Sequence, residues 1–378
     1  MRLIIAFAVL LFPQLLSAQP AGAPVPAVPA IASRAYLLLD FNSGQPLASA
    51  NAGERFEPAS LTKLMTAYLT FSALRHKTLR GDQTVPVSER AWRSEGSRMF
   101  IEPRKPVTVD ELLRGVIVQS GNDASIALAE AVAGSEEVFA QLMNREAQRL
   151  GMKNTHFVNA TGLPHPQHYS TAHDLALLAA AIIRDFPEYY PLYSLREYRY
   201  NNITQSNRNR LLWLDSAVDG MKTGYTENAG YCLITSARRG EQRLISVVLG
   251  AASEAARATE SQKLLNYGFQ FYDSVRLYEK NQPVATLRVW KGGNDSVKAG
   301  FANALYLALP KGAAGGLKAS VESLQPLLAP VSAGQQVGVL KLTLDGKPMR
   351  ELPVVALENV PLAGIIGRGW DSLRLLFR

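Results

Sequence analysis

The chain has 378 residues, of which 47% are hydrophobic and 19% are charged. This balance excludes a wholly disordered chain and predicts packed cores in two domains of roughly 100–200 residues each. The formal net charge is +8, and the basic residues are scattered along the sequence rather than clustered. Scattered positive charge suits an anionic partner, such as a membrane surface or a polyanionic wall. A nucleic-acid partner is disfavoured because the export predicted below removes the usual target.

Residues 1–18 have the pattern of a secretory signal peptide. Arg2 precedes an apolar run over residues 3–11, and Ser17 and Ala18 place small residues before the predicted cleavage site. An uncleaved anchor is the alternative, but the apolar run ends at Pro13 and is shorter than the about 20 residues of a membrane span. We therefore predict an exported protein.

The next part of the chain changes from extended to helical character. Residues 19–33 are rich in Pro and Ala and predict an extended leader without a core of its own. Residues 35–40 predict a strand, and Asn42-Ser43-Gly44 predicts a turn into a partner strand over 45–49. From Ser60 onward apolar residues recur at helical spacing, which predicts the first helix.

Helices and then strands follow up to residue 275. Helices are predicted over residues 109–118, 125–133, 136–150, 172–184 and 259–272. Short apolar runs predict adjacent antiparallel strands near residues 221–224, 231–236 and 244–250. Cys232, the single cysteine, lies in the second of these runs, which predicts a buried free thiol. Strands at both ends of a helical segment predict an α+β domain over 34–275 with one antiparallel sheet.

Residues 276–358 have the pattern of a smaller all-β domain. Short β-type runs occur at residues 284–290, 305–309, 337–344 and 353–357. Asp345-Gly346 is a strong hairpin signal between the last two runs.

The last segment, 360–378, predicts an amphipathic helix. Its apolar face would contain Leu362, Ile366, Trp370, Leu373 and Phe377. Its charged face would contain Arg368, Asp371, Arg374 and Arg378. The segment is too short and too charged to span a bilayer, but it suits the membrane interface. Packing against the protein itself is the alternative.

Ser60 and Lys63, in EPASLTKLM, lie three positions apart at the start of the first predicted helix. This spacing places both side chains on one helical face, close enough for a hydrogen bond. A neutral lysine can take the serine proton and make the hydroxyl a nucleophile, if burial or a nearby positive charge lowers the pKa of the lysine. A capping serine beside a solvated lysine is the alternative for this motif alone.

Ser120-Gly121-Asn122, in VIVQSGNDAS, is a polar break between an apolar run and a helical pattern. Such a corner can present Ser120 and Asn122 to a cleft. The serine could relay a proton to or from a leaving group, and the asparagine could hold Lys63 and a substrate carbonyl. Taken alone, the tripeptide also fits a loop with a helix cap.

Lys222-Thr223-Gly224 lies in a predicted strand, where Lys222 adds positive charge and Gly224 allows close approach of a ligand to the backbone. An extended edge here could pair with a peptide-like substrate by strand addition. The backbone N–H groups of Ser60 and Tyr225 could form an oxyanion hole.

In this order, the three motifs resemble the set found in penicillin-binding proteins and class A β-lactamases. With the stretches GMKNTHF, NRNRLLW and VDGMKTGYT, the chain from about residue 35 resembles the low-molecular-mass penicillin-binding proteins that are D-alanyl-D-alanine carboxypeptidases, in the branch like penicillin-binding protein 5. The resemblance implies a transpeptidase-like α+β domain, a small β domain and an amphipathic anchor. It implies no cofactor and no metal. The location implied is the periplasm, at the outer face of the cytoplasmic membrane.

The resemblance also implies the catalytic residues. Ser60 would attack the carbonyl between the two terminal D-alanines of a peptidoglycan stem pentapeptide, with Lys63 as the base. Proton transfer and charge would be organised by Ser120, Asn122 and Lys222. β-Lactams would acylate Ser60 as substrate mimics.

The substrate-binding residues implied are Thr223, Gly224, Tyr225 and Arg257. The last of these matches a family arginine that binds the terminal carboxylate of the substrate, and Thr223 would assist it. Arg208 matches a family arginine near the cleft, without a defined role. Tyr225 departs from the close relative, which has histidine after the K-T-G motif.

Four other functions are weighed against this one. A class A β-lactamase is disfavoured because no E-x-x-L-N string lies between Asn122 and Lys222. A Ser-His-Asp hydrolase is disfavoured because no G-x-S-x-G is present. A DD-endopeptidase of the same superfamily usually lacks the β domain, and a non-catalytic wall-binding protein would have to have lost turnover with all three motifs intact. The histidines at 165, 168 and 173 are interpreted as a polar surface loop rather than a metal cluster.

Overall fold

The structure is a computed structural model that describes residues 25–376. The predicted signal peptide, residues 1–18, and the first part of the leader lie outside these residues. The rest of the leader runs along the protein, where Val25, Val28 and Ile31 are partly buried against the core. Tyr267 also donates a hydrogen bond to the Pro26 carbonyl at 3.0 Å. This segment is therefore stabilised by the domain that follows it.

Residues 35–271 form an α+β unit, as the sequence predicts. Its strands are β1 (Ala35–Asp40), β2 (Pro46–Ala50), β3 (Thr84–Val85), β4 (Val107–Thr108), β5 (Glu197–Tyr200), β6 (Ile203–Ser206), β7 (Val218–Thr226), β8 (Gly230–Arg239) and β9 (Gln242–Ala251). Its α-helices are α1 (Lys63–Arg75), α2 (Glu89–Trp92), α3 (Val109–Arg114), α4 (Asn122–Ala133), α5 (Glu136–Arg149), α6 (Ala172–Asp185), α7 (Leu211–Leu214) and α8 (Glu254–Phe271). Two 3-10 helices (Ala59–Thr62 and Tyr190–Ser194) and a π-helix (Gly115–Gln119) complete it.

A five-stranded antiparallel sheet in the order β2-β1-β9-β8-β7 forms the centre of this unit. Strands from both ends of the segment meet in this sheet, as predicted. Along β1, Leu37 and Leu39 belong to the core shared with α1 and α4 to α6, whereas Leu38 belongs to the core shared with α8. This alternation follows from the two-residue period of a strand. One sheet therefore carries helices on both faces, and its β7 edge is left beside the motif residues.

Four helices differ from their predicted bounds by three residues or more. Helix α4 begins at Asn122 rather than at 125. The first α-helix begins at Lys63, because a 3-10 turn carries Ser60 after Ala59, whose φ is +47°. The helix predicted over 109–118 becomes a π-helix after Arg114. The helix predicted from 259 begins at Glu254, after a Ser253 side chain that caps it. Its first turn is rich in alanine and polar residues, so it lacks the apolar periodicity on which the prediction depended.

The C-terminal part is an all-β unit, as predicted. Its strands are β10 (Tyr272–Tyr278), β11 (Pro283–Trp290), β12 (Ser296–Gly300), β13 (Leu305–Pro310), β14 (Leu317–Ser323), β15 (Leu327–Leu328), β16 (Gln336–Leu344) and β17 (Lys347–Ala356), with a 3-10 helix at Ala313–Gly316. The predicted hairpin turn joins β16 and β17, and both Asp345 and Gly346 have positive φ. The predicted division at 275 falls within β10, which pairs with β13.

Helix α9 (Ile365–Leu376) follows the β unit. The Asp371 carboxylate accepts a hydrogen bond from the Lys291 backbone N–H at 2.6 Å, and the Ala363 N–H donates to the Lys291 carbonyl at 2.8 Å. Phe377 and Arg378, which are part of the predicted faces, lie outside the described residues, as do the side chains of Ile366 and Leu373. Within residues 25–376, none of the helices has the length and apolar character needed to cross a bilayer.

Candidate active site

A cavity of about 510 Å³ lies beside the β7 edge of the sheet. It is lined by the predicted residues Ser60, Ser120, Asn122, Thr223, Gly224, Tyr225 and Arg257. The structure also places Arg208 and Glu254 in its wall. The two motif lysines, Lys63 and Lys222, are buried beside the cavity, and each contacts a serine that lines it. All nine residues predicted from the sequence therefore converge on one site.

The Lys63 amine lies at the centre of a short hydrogen-bond network. Its Nζ is 3.0 Å from Ser60 Oγ, 2.7 Å from Asn122 Oδ1 and 2.6 Å from the Thr161 carbonyl oxygen. A carbonyl and an amide oxygen can only accept hydrogen bonds. A neutral amine therefore donates its two N–H groups to Asn122 and Thr161, and its lone pair points to the Ser60 hydroxyl. This is the arrangement that a base needs to take the serine proton.

The pKa of Lys63 is lowered from 10.5 to about 7, mainly by burial and also by the positive charge of Arg208, while Asp123 acts in the opposite direction. Removing an ammonium ion from water disfavours its charged form, and a nearby cation acts in the same direction. A lysine can act as the base if burial or a nearby positive charge lowers its pKa. Both causes act on Lys63.

With Lys63 as the base, acylation is expected to follow the fraction of neutral amine. Since the pKa is lowered to about 7, kcat/KM should rise about tenfold per pH unit below 7 and level off above it. The profile is measured with a β-lactam whose acylation rate is followed from pH 5 to 10, against the intrinsic reactivity of the drug as a control. A rate that keeps rising to pH 10 would show an amine with its ordinary pKa and contradict this assignment.

Lys222 contacts the second motif. Its Nζ donates to Ser120 Oγ at 2.9 Å and to the Thr223 carbonyl at 2.9 Å. Burial lowers the pKa of Lys222 well below its ordinary value, and neighbouring cations lower it further: Lys63, Arg208 and Arg257. A neighbouring cation disfavours the protonated amine, so the charge of Lys63 is one cause of the lowered pKa of Lys222. The positive charge of this region also attracts an anionic substrate group.

The backbone places Ser120 and Asn122 at a corner between two helical segments. Ser120 ends the π-helix in the left-handed conformation, with φ +65°, and Asn122 begins α4. A non-glycine residue in this region is strained and requires support from its surroundings. Asn122 supplies part of it, because its Nδ2 donates to the Glu95 carbonyl at 2.6 Å. That bond also fixes Oδ1 toward Lys63.

Asp123 holds the corner in place, a role that the sequence reasoning missed. Its buried carboxylate accepts hydrogen bonds from the backbone N–H groups of Met99, Phe100, Ile101 and Ala124, at 2.8 to 3.2 Å. An acidic residue in the first turn of α4 was a usable signal, because helix N-termini favour negative charge. The structure shows that this carboxylate binds the Ala124 N–H in the first turn of α4 and also holds the loop at residues 99–101 in place.

The segment 160–168 packs against the 3-10 helix (Ala59–Thr62) that contains Ser60. A Cβ at Gly162, whose φ is +83°, would lie 1.8 Å from the Ala59 carbonyl oxygen. His168 is buried, and its Nε2 lies 2.8 Å from Thr62 Oγ1, while its Nδ1 accepts from the Val158 N–H. Burial lowers the pKa of His168 to about 3. Describing this histidine as part of a polar surface loop was therefore wrong, because the loop folds under the 3-10 turn.

Strand β7 forms the opposite wall. A Cβ at Gly224 would lie 3.2 to 3.3 Å from Leu61, the Pro58 carbonyl and Ala59. Glycine therefore lets this strand approach the 3-10 helix that contains Ser60. From the sequence we predicted that this glycine allows a ligand to approach the backbone. The structure shows that it also allows residues 58–61 of the chain to pack closely against the strand. Tyr225 follows it at the cavity mouth, 51% exposed.

Arg257 lines the cavity and is 3% exposed. Its guanidinium donates to the Gly224 carbonyl at 3.4 Å and lies 5.6 Å from the centre of the Tyr231 ring. Burial lowers its pKa, yet arginine stays protonated in proteins. Arg208 also faces the cavity. A buried cation and an activated serine in one cavity suit an acyl substrate that ends in a carboxylate.

The sheet, the helices on both of its faces and the Ser60–Lys63 pair define a serine acyl-transfer enzyme that uses a lysine as base. Among residues 25–376, no three His, Cys, Asp or Glu side chains form a cluster suited to a metal ion. Comparisons with known proteins then identify the family. The D-alanyl-D-alanine carboxypeptidase family matches residues 22–253, and the family described as penicillin-binding protein 5, C-terminal domain, matches residues 272–362. The chain belongs to the D-alanyl-D-alanine carboxypeptidase family.

Individual relatives cover nearly the whole chain. The D-alanyl-D-alanine carboxypeptidase DacC of Escherichia coli is 44% identical over 92% of this chain and 89% of its own length. DacA of the same organism is 41% identical over 93% of this chain and 90% of its own length. Penicillin-binding protein 5 from Haemophilus influenzae has a crystal structure that matches with a TM-score of 0.85 and 40% identity, over 89% of this chain and 99% of that one. The resemblance and the fold class predicted from the sequence are thus confirmed.

Proposed function

We propose that the protein removes the terminal D-alanine from peptidoglycan stem pentapeptides. Ser60 Oγ forms a bond to the carbonyl carbon between the two terminal D-alanines, and the C–N bond breaks to release D-alanine. Water then hydrolyses the acyl-enzyme. The observation that carries this proposal is the contact between the buried Lys63 amine, whose pKa is lowered to about 7, and the Ser60 hydroxyl facing the cavity.

The remaining catalytic roles follow from the contacts. Lys63 takes the Ser60 proton as the general base. Asn122 orients Lys63 through its Oδ1 and keeps a second amide hydrogen for a substrate carbonyl. Ser120, bonded to Lys222, delivers a proton to the departing amine. No metal or cofactor is needed for these steps.

Substrate binding is proposed along the β7 edge. The backbone of residues 223–225 offers an extended edge for strand addition by the peptide. The N–H groups of Ser60 and Tyr225 stabilise the oxyanion. Ser60 lies in the first turn of a 3-10 helix, where N–H groups have no partner inside their own helix, and Tyr225 lies on the edge strand β7. Arg257 binds the terminal carboxylate of the substrate and Thr223 assists it, because both line the same cavity as Ser60.

β-Lactams are proposed to acylate Ser60 as substrate mimics. Penicillin-binding protein D2 from Listeria monocytogenes, solved in an ampicillin-bound form, is 31% identical with a TM-score of 0.60 over 65% of this chain. A cefotaxime-bound form of the same protein matches equally well, with a TM-score of 0.60. The two bound forms of this one relative support a cavity that accepts β-lactams.

The choice between carboxypeptidase and DD-endopeptidase is tested with two substrates. Purified protein is given a soluble pentapeptide ending in D-Ala-D-Ala and, separately, a crosslinked peptide dimer. Release of free D-alanine from the first, with the dimer left intact, supports the proposal. Cleavage of the dimer alone would support the endopeptidase. Labelling by penicillin without turnover of either substrate would support a non-catalytic wall-binding protein.

We also propose that the protein is exported, and that residues 34–275 and 276–358 are a catalytic domain and a stalk.

We further propose that residues 360–378 attach the protein to the outer face of the cytoplasmic membrane. The support for this attachment comes from the orientation of α9. Its Asp371 contacts the β unit, whereas Ile365 and Trp370 are 81% and 60% exposed. A helix packed on the protein would bury its apolar side chains, so this orientation favours the membrane interface.

Removing residues 365–378 is expected to release the protein from membranes while leaving its activity on a soluble pentapeptide unchanged. The reason is that the exposed apolar side chains lie on α9, far in sequence from the cavity. Flotation with anionic lipid vesicles measures the release. Trp370→Ser should weaken binding in the same assay, and Trp92→Ser, which changes an exposed tryptophan elsewhere, is the matched control. Undiminished membrane binding of the truncated protein would refute the anchor.

A further inference from the structure

Glu254 faces the cation that is proposed to bind the substrate carboxylate. Its Oε1 lies 3.5 Å from Arg257 Nη2, one helical turn away on α8, and both residues line the cavity. Within residues 25–376, Glu254 is the one carboxylate within 4 Å of this guanidinium. The cavity therefore contains the Glu254 carboxylate beside the proposed binding site for the terminal carboxylate of the substrate.

The geometry of this pair differs from that of a fixed structural ion pair. The Arg257 guanidinium donates two hydrogen bonds, and both are long: 3.5 Å to the Glu254 carboxylate and 3.4 Å to the Gly224 carbonyl. A planar guanidinium has five N–H donors and can bind a carboxylate through two parallel bonds. Two long contacts leave that capacity largely unused. Arg257 is thus buried and charged, and it can bind a second carboxylate through shorter hydrogen bonds than the one it makes to Glu254.

Glu254 is free to move away from this contact. Its side chain is 58% exposed, whereas that of Arg257 is 3% exposed. It occupies the first turn of α8, after the Ser253 cap, where negative charge is favoured by the helix N-terminus. A move toward solvent therefore retains a favourable position for the carboxylate and opens the guanidinium to the cavity.

We propose that Glu254 is a specificity-determining residue that competes with the terminal carboxylate of the substrate for Arg257. This inference rests on the proposed function, because it assumes that Arg257 binds that carboxylate. A substrate must displace Glu254 and pass its negative charge, which raises KM. A substrate without that carboxylate gains nothing from the loss of Glu254.

The test is steady-state kinetics of the full-length protein with Glu254→Gln. The substrates are a pentapeptide ending in D-Ala-D-Ala and the same peptide ending in D-alaninamide. For the acid, KM should fall about two- to fivefold with kcat unchanged, the range of a partly exposed ion pair. For the amide, kcat/KM should not change. Glu279→Gln removes a carboxylate that pairs with Arg276 three residues away, outside the cavity, and should leave both substrates unaffected.

Other results would overturn the inference. A higher KM for the acid would show that Glu254 positions Arg257 rather than competing with the substrate. Equal changes for acid and amide, or the same change in Glu279→Gln, would show a general effect of charge or structure.

A second readout separates this inference from the proposed function. Penicillin also carries a carboxylate, so Glu254→Gln should raise its acylation rate constant about two- to fivefold, even if no peptide is turned over. An unchanged or lower rate constant would overturn the competition. Failure of the wild type to release D-alanine, with penicillin acylation still faster in the variant, would count against the carboxypeptidase alone.

Discussion

Ser60→Ala is expected to abolish both D-alanine release and covalent labelling by penicillin. Removing a nucleophile that acts with its base as a unit lowers kcat by about 10⁴-fold or more. The cavity, Arg257 and the β7 edge remain, so non-covalent binding of the peptide should persist. The measurement pairs D-alanine release with gel detection of a fluorescent penicillin. Ser72→Ala, on the outer side of α1 beside His76, is the matched control and should retain full activity.

The fold of the Ser60→Ala variant should be nearly unchanged. Lys63 keeps its contacts with Asn122 and Thr161, so the loss of one hydrogen bond costs about 1 kcal/mol. Thermal unfolding checks this directly. Wild-type labelling of a folded Ser60→Ala protein would place the nucleophile elsewhere and contradict the assignment.

Lys63→Arg is expected to lower the acylation rate by about 10²- to 10⁴-fold, the typical contribution of a general base. Arginine keeps a positive charge and hydrogen-bond donors, but it does not lose its proton in proteins. The variant therefore separates a base from a residue that only supplies charge. Stopped-flow acylation by a chromogenic β-lactam measures the rate. Lys153→Arg, an exposed substitution on the loop after α5, is the control.

A second variant guards against poor packing of the larger arginine in a buried position. Lys63→Met has a similar length, removes both charge and base, and should show the same loss of acylation with a folded protein by circular dichroism. The limb of the pH profile near pH 7 should vanish in both variants. Wild-type acylation by Lys63→Arg, or a retained limb, would assign the base to another group.

Much of the fold was predictable because its periodic signals are local. The strands at 35–40 and 231–236 and the helix at 136–149 follow from the spacing of their own apolar residues. The 3-10 turn at Ser60 and the π-helix after Arg114 were not predictable in this way. Both depend on left-handed residues, Ala59 and Ser120, which are held by contacts with distant parts of the chain.

The candidate site shows the same division. Three short motifs indicated Ser60, Lys63 and Lys222, because reactive side chains are visible in a sequence. The Thr161 carbonyl that binds Lys63 is a backbone atom and carries no such signal. Glu254 was missed because its helix was predicted to begin after it, which hid its position one turn before Arg257.

The most direct test of the account is to trap the covalent intermediate during turnover. The wild-type protein is mixed with a pentapeptide ending in D-Ala-D-Ala, quenched in acid within its first turnovers, digested and analysed by mass spectrometry. The account predicts that the peptide containing Ser60 gains the mass of the substrate less one D-alanine, in step with D-alanine release. Release of D-alanine with no adduct, or an adduct on a different residue, would contradict it.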